Sequence, residues 1–250
     1  MSASIDGERI AIVTGVSRGL GEALGDALLA RGVGVTGIGR SSSDALAKND
    51  RYRFVECDLS DPASIAPRIA PVFEEIANRE PAWVMLVNNA ATAAPTGIVG
   101  ALDRAALERS LALNLTAPML LADLFRATFT RDETERTIVN VSSGAAQMPL
   151  AGAGAYCVAK SGLEMLTRVV AAESRSPTFR AISVRPGIID TEMQHFMRSQ
   201  PSARLPSVGL FQGFHHARQL VSADAAARKI VDRLLLSAIE SGRTYSYPEL

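Results

Sequence analysis

The chain predicts an α/β protein, with one doubly wound parallel sheet of about seven strands and helices on both faces. Three observations carry that expectation. Short β-rich runs alternate with longer helical stretches along the whole sequence. Several of those runs are apolar without alternation, as strands covered on both faces require. A glycine-rich turn, Thr14–Gly21, joins the first run to the first helical stretch, a context in which such a turn can hold phosphate groups.

Arg9–Thr14 reads as the first strand and Leu20–Arg31 as the helix after it. Val33–Gly39 and Tyr52–Cys57 are the next strands, followed by Ala82–Val87, Thr137–Val141, Phe179–Val184 and a short Thr244–Tyr247. Helical composition marks Pro62–Asn78, Leu102–Phe129, Ala155–Ser174 and Asp224–Ile239. Pro118 lies inside the second of these, so a kink there or a break near Thr116 is expected. Glu192–Leu220 interrupts the alternation, with Met193, Phe196, Met197, Phe211 and Phe214 set among Pro201, Pro206, Gly209 and Gly213. A late, apolar, irregular insertion of this kind reads as a lid over a substrate, against the alternatives of a surface segment or an oligomer contact. With no repeats and no linker rich in Pro, Gly or Ser, residues 1–250 read as a single domain.

Bulk composition narrows the function. Hydrophobic residues make up 47% and charged residues 21%, as in a folded globular chain. The 26 basic side chains balance 26 acidic ones, so nothing draws the whole chain to nucleic acid or anionic lipid. No run approaches the roughly 18 apolar residues of a membrane span, and Met1–Arg9 lacks the features of a secretory leader. Cys57 and Cys157 imply no disulfide framework, and His195, His215 and His216 make no metal site by spacing. A soluble, reducing compartment, the cytoplasm, is the expectation.

The chemistry is read from Tyr156 and Lys160. Residues four apart share a helix face, so the phenol and the ammonium point into one space. A cation there lowers a phenol's pKa and makes it a usable general acid/base. Four Tyr and three Lys in 250 residues would match this spacing by chance about once in twenty such chains. Ser143 precedes Tyr156 by thirteen positions. In the glycine turn, Gly15 permits the tight bend while Gly19 and Gly21 admit a pyrophosphate and the helix. After the second strand comes Gly39-Arg40-Ser41-Ser42, with no acid before Asp44; Arg40, helped by Arg18, would accommodate the 2′-phosphate of NADP.

Together these motifs resemble the classical short-chain dehydrogenase/reductase family over essentially the whole chain, which implies a Rossmann-type fold. The matching elements are Thr14–Gly21, Asn88-Asn89-Ala90-Ala91 (Ala91 for the usual glycine), Asn114, Ser143, Tyr156, Lys160 and Pro186-Gly187-Ile188-Ile189-Asp190-Thr191. The resemblance implies reduction of a small carbonyl compound by NADPH. Tyr156 would donate the proton, Lys160 lower its pKa and bind the nicotinamide ribose, Ser143 hold the carbonyl oxygen, and Asn114 hold a water that leads to solvent. It places the cofactor against Gly15, Ser17, Arg18, Gly19, Leu20, Gly21, Arg40, Ser41, Asp58, Leu59, Asn89, Ala90, Ala91, Tyr156, Lys160, Pro186, Gly187, Ile189 and Thr191, with Asp58 at the adenine. Ala91 narrows the space beside the cofactor only modestly. Gly144 directly after Ser143, with the usual later glycine absent, implies an unusual loop there.

Within the family the chain is most similar to the sepiapterin reductase and benzil or diketone reductase branch. Leu111–Thr116, Tyr156-Cys157, Asp190–Gln194 and Ser241–Tyr245 carry that likeness. Ser246 stands where sepiapterin reductases have an acid for the pterin, which leaves an aromatic or vicinal diketone at least as well supported. The competing readings are an NADP-dependent alcohol dehydrogenase or ketoacyl-type reductase, and a non-catalytic NADP-binding redox sensor. Relatives pair through helices that here correspond to 102–129 and 155–174, which implies a homodimer.

Overall fold

The computed structural model describes residues 7–249. The leader-peptide reading rests mainly on residues 1–6, outside the described residues. In order the elements are β1 (Arg9–Thr14), α1 (Gly19–Leu29), β2 (Gly34–Gly39), β3 (Tyr52–Glu56), α2 (Pro62–Asn78), β4 (Trp83–Asn88), α3 (Arg104–Leu111), α4 (Ala117–Thr128), β5 (Glu135–Val141) and α5 (Gly154–Glu173). There follow β6 (Phe179–Arg185), β7 (Ile189–Asp190), α6 (Glu192–Arg198), α7 (Val208–His216), β8 (Val221–Ser222), α8 (Ala223–Ile230) and β9 (Thr244–Ser246).

One seven-stranded parallel sheet runs in the order β3-β2-β1-β4-β5-β6-β9, and the pair β7-β8 lies apart from it. Strand order reverses between β1 and β4, so the crevice beyond their carboxyl ends is where a ligand binds in an open α/β sheet. Alternate strand residues feed two cores. Val13, Met85, Val87 and Ile182 pack with Leu24, Leu28 and Ile230 on the α1/α8 face. Ile12, Leu86 and Ile138 pack with Ile65, Phe73 and Phe125 on the opposite face. Both faces are covered, which is why these strands read as continuous apolar runs.

One expected break and two departures from the sequence reading have local causes. As expected, the helical stretch Leu102–Phe129 breaks near Thr116, at a π-turn, Ala112–Thr116, that joins α3 and α4 just before Pro118; Pro118, at the start of α4, has no N–H to donate back into the turn. The last helix stops short of Ile239. It passes through a π-turn at Val231–Leu235, because the chain must turn so that Gly242 N–H donates to Ala181 O at 2.7 Å and seats β9 beside β6. The 192–220 segment, expected to be irregular, folds as α6 and α7. Pro67 and Pro71 leave α2 intact, and both lie on its exposed face, open to solvent.

Candidate active site

The predicted residues converge at the carboxyl end of the sheet. Gly15–Gly21 follow β1, Arg40 and Ser41 follow β2, Asp58 and Leu59 follow β3, and Asn89–Ala91 follow β4. Ser143 follows β5, and Pro186–Thr191 follow β6. Tyr156 and Lys160 rise on the first turns of α5.

The glycine turn is built by close approach. Gly15 has φ +72°, and a Cβ on it would lie 2.9 Å from Ala90 Cα; a Cβ on Gly21 would lie 2.1 Å from Gly15 O. Thr14 Oγ1 accepts the N–H groups of Asn89 and Ala90 at 2.9 and 3.0 Å, and Asn89 Nδ2 donates to Thr14 O and Gly15 O. The Asn89 side chain therefore braces the turn, and its face toward a ligand is backbone. Leu20 and Leu59 are buried in the two cores, so only their backbone is free to face the carboxyl end of the sheet. The N-terminus of α1, whose N-cap is Arg18, has no side-chain cap, which leaves its first-turn N–H groups for an anion. Gly19 lies beside Thr191, to which a Cβ would come within 3.5 Å, so the β1 turn and the segment after β6 form two sides of one cleft. On the rim, Arg40 and Asp58 are neighbours. Asp58 accepts Ser60 N–H and Oγ–H at 2.9 and 2.7 Å, bonds that hold its carboxyl below the usual range, with Arg40 adding to the effect.

Ser143 and Ser142 are told apart by burial. Ser142 is buried and donates to Glu164 Oε1 at 2.7 Å, whereas Ser143 is half-buried and faces the Tyr156 phenol. Ser143 caps a single 3-10 turn, Gly144–Ala146, so the loop expected to be unusual is an ordinary one. Lys160 is buried, donates from Nζ to Val141 O at 2.7 Å, and lies 5.7 Å from the Tyr156 ring centroid. Desolvation pulls its pKa down to about 8.

The Tyr156 phenol lies above its ordinary value. Burial raises it most, the Ser143 hydroxyl pulls it down, and Cys157 pushes it up. Lys160, expected to lower it, is not among these influences; that ammonium is itself desolvated and committed to a backbone carbonyl. Asn114 also differs from expectation. Its carboxamide exchanges two 2.8 Å hydrogen bonds with the backbone of Thr92 and donates to Ser110 Oγ at 3.3 Å. The side chain braces the loop after β4.

A third apolar cluster stands over Tyr156. Ala93, Ala145, Leu150, Met197, Leu205 and Val208 form it, with Tyr156, Cys157, Met193, Phe196 and Phe211 packed against it. The 192–220 segment is fastened there by Thr96 Oγ1 donating to Gln200 Oε1 at 2.9 Å and Ser207 Oγ donating to Ala151 O at 2.9 Å. Sequence reading missed Thr92, Gln200 and Glu249. The Glu249 carboxylate, three residues on, folds back to accept Ser246 N–H at 3.0 Å, so an acid stands beside Ser246. Position in a motif could not have revealed Thr92 and Gln200, whose contacts with Asn114 and Thr96 depend on segments distant in sequence meeting, whereas the Ser246–Glu249 contact is local.

The family model described as short chain dehydrogenase matches residues 9–202. The chain belongs to the short-chain dehydrogenase family. The benzil reductase ((S)-benzoin forming) of Bacillus subtilis (strain 168) is 32% identical to it over 240 residues, covering 95% of this chain and 98% of the relative. Sepiapterin reductase of Meriones unguiculatus is 29% identical, covering 93% and 94%. The crystal structure of the KRED1-Pglu enzyme matches with a TM-score of 0.82 at 28% identity, covering 94% of this chain and 99% of that one. As a short-chain dehydrogenase the chain is an oxidoreductase that uses a nicotinamide cofactor, NAD or NADP. The residues fit that group: an uncapped helix N-terminus, a glycine turn that a Cβ would fill, and Tyr156 and Lys160 raised on α5 at the same end of the sheet. Among the described residues no helix is long and apolar enough to cross a membrane.

Proposed function

We propose that this short-chain dehydrogenase is an NADPH-dependent reductase of a small carbonyl compound, an aromatic or vicinal diketone above all, working as a single cofactor-binding domain. The observation that carries the reading is Tyr156 set between Ser143 and an apolar cluster to which the 192–220 segment contributes Met193, Phe196, Met197, Leu205, Val208 and Phe211. Arg40 and Arg18, both exposed beside the cleft, would hold the 2′-phosphate that distinguishes NADPH.

When bound, the nicotinamide supplies the hydride. The Ser143 hydroxyl steadies the carbonyl oxygen as negative charge gathers there. Tyr156 gives that oxygen its proton. A phenol held above its ordinary pKa arrives protonated at neutral pH and is still a stronger acid than the alcohol formed when it protonates the alkoxide. Lys160 brings positive charge beneath the Tyr156 ring and offsets the phenolate that remains. The apolar 192–220 lid excludes water and favours aryl or alkyl groups flanking the carbonyl.

Two copies would pair through α4 and α5, whose Met119, Val158, Met165 and Val169 are exposed. The functional test is oxidation of NADPH against benzil, aliphatic diketones, sepiapterin and a ketoacyl thioester, with Tyr156→Phe beside the native protein. Turnover of diketones that falls by about 10³-fold or more in Tyr156→Phe, with NADPH affinity kept, is expected. Native binding of NADPH with no turnover on any carbonyl would instead favour the redox-sensor reading.

A further inference from the structure

Helix α5 meets the sheet through a polar seam that the family motifs do not account for. Positions 156, 160, 164 and 167 share one face of the helix. Below Tyr156 each of them is bonded to the ends of β5 or β6. Lys160 donates to Val141 O. Glu164 accepts Ser142 Oγ–H at 2.7 Å and two bonds from Arg185, Nε at 2.8 Å and Nη2 at 2.7 Å. Thr167 Oγ1 accepts Asn140 Nδ2–H at 2.8 Å and lies 2.7 Å from Ser183 Oγ.

Glu164 is the junction of this seam. Both its oxygens are engaged, and its two partners flank the chemistry in sequence. Ser142 immediately precedes Ser143, and its N–H donates to Val184 O at 2.7 Å; Arg185 immediately precedes Pro186-Gly187. The Glu164 and Arg185 side chains are 12% and 16% exposed. A bidentate carboxylate–guanidinium contact fixes angle as well as distance, while apolar packing alone lets a helix slide and rotate. Stability does not explain the pair, because buried ion pairs are commonly matched or bettered by apolar residues of equal volume.

We propose that Glu164 is a positioning residue of the reaction. By gripping Ser142 and Arg185 together, it sets the helix that bears Tyr156 against Ser143 on one side and against Pro186-Gly187 on the other. Glu164 acts in this way only if Tyr156 is the proton donor, so Tyr156→Phe is measured in parallel.

The test is the double variant Glu164→Leu/Arg185→Met, which keeps the volume and removes the directional bonds. Its thermal midpoint is expected within about 4 °C of native. Its kcat for diketone reduction is expected to fall about 10- to 100-fold, as misplacement of reacting groups by about an ångström does. NADPH affinity should stay within about threefold of native, and the isotope effect with NADPH deuterated at the transferred position should rise as hydride transfer limits the rate. A stable double variant with native kcat overturns the proposal. If the double variant does not fold, Glu164→Gln decides: the same split of kcat from NADPH affinity is expected, and native kcat, or kcat and affinity falling together, overturns it. Turnover retained in Tyr156→Phe would sink the proton-donor reading itself. A dead Tyr156→Phe beside a fully active Glu164 variant would sink only the positioning role.

Discussion

Replacing Lys160 by Met removes a buried charge and little volume, and the consequence for stability depends on pH in a calculable way. Folding takes the lysine from 10.5 to about 8. At about 1.4 kcal/mol per unit, holding the ammonium inside costs on the order of 3 kcal/mol at pH 7. The folded value lies below the unfolded one, so the penalty is fully present below pH 8. It is relieved as pH rises through 8 toward 10.5, because there the unfolded chain binds more protons than the native one. Losing the bond to Val141 O adds a term that is constant with pH so long as Lys160 keeps its proton. Urea denaturation of native protein and Lys160→Met at pH 7, 8.5 and 10 isolates the titrating part. The native protein is expected to gain about 2.5 kcal/mol relative to the variant between pH 7 and 10. A difference flat to within about 0.5 kcal/mol across that range would refute the assignment of the burial penalty to Lys160. The same titration should appear in turnover, with reduction declining above about pH 8 as the ammonium is lost.

Gly21→Ala would press a Cβ to 2.1 Å from Gly15 O and 2.4 Å from Asn89 Nδ2; a loss of about 3 kcal/mol in denaturation and weaker cofactor binding are expected. Gly154→Ala, where a Cβ meets nothing within 4 Å, is the neutral control. Arg40→Ala should lower the preference for NADPH over NADH about 10- to 100-fold in binding titrations, the worth of one charge-assisted contact; an unchanged preference would remove Arg40 from the 2′-phosphate site. Met165→Asp should shift a dimer toward monomer in sedimentation by placing a charge in the α4/α5 contact, and a native protein that already sediments as a monomer would overturn the pairing.

Periodicity and spacing determined a good deal of this protein by themselves. The apolar runs of β4, β5 and β6 announced strands covered on both faces, and Thr14–Gly21 announced where α1 begins, because these depend on neighbours along the chain. The order of the motifs announced the family for the same reason. Tertiary structure decided what depends on desolvation and on meetings between distant loops. Four-residue spacing put Tyr156 and Lys160 on one face, yet the direction of the phenol's pKa follows from burial. Asn114 reads in sequence as a site residue, and only the approach of Thr92 shows its carboxamide fully engaged. Glu164 is an ordinary helix residue in the sequence. It becomes the meeting point of β5, α5 and β6 only because the parallel sheet brings Ser142 and Arg185, 43 positions apart, to adjacent strand ends.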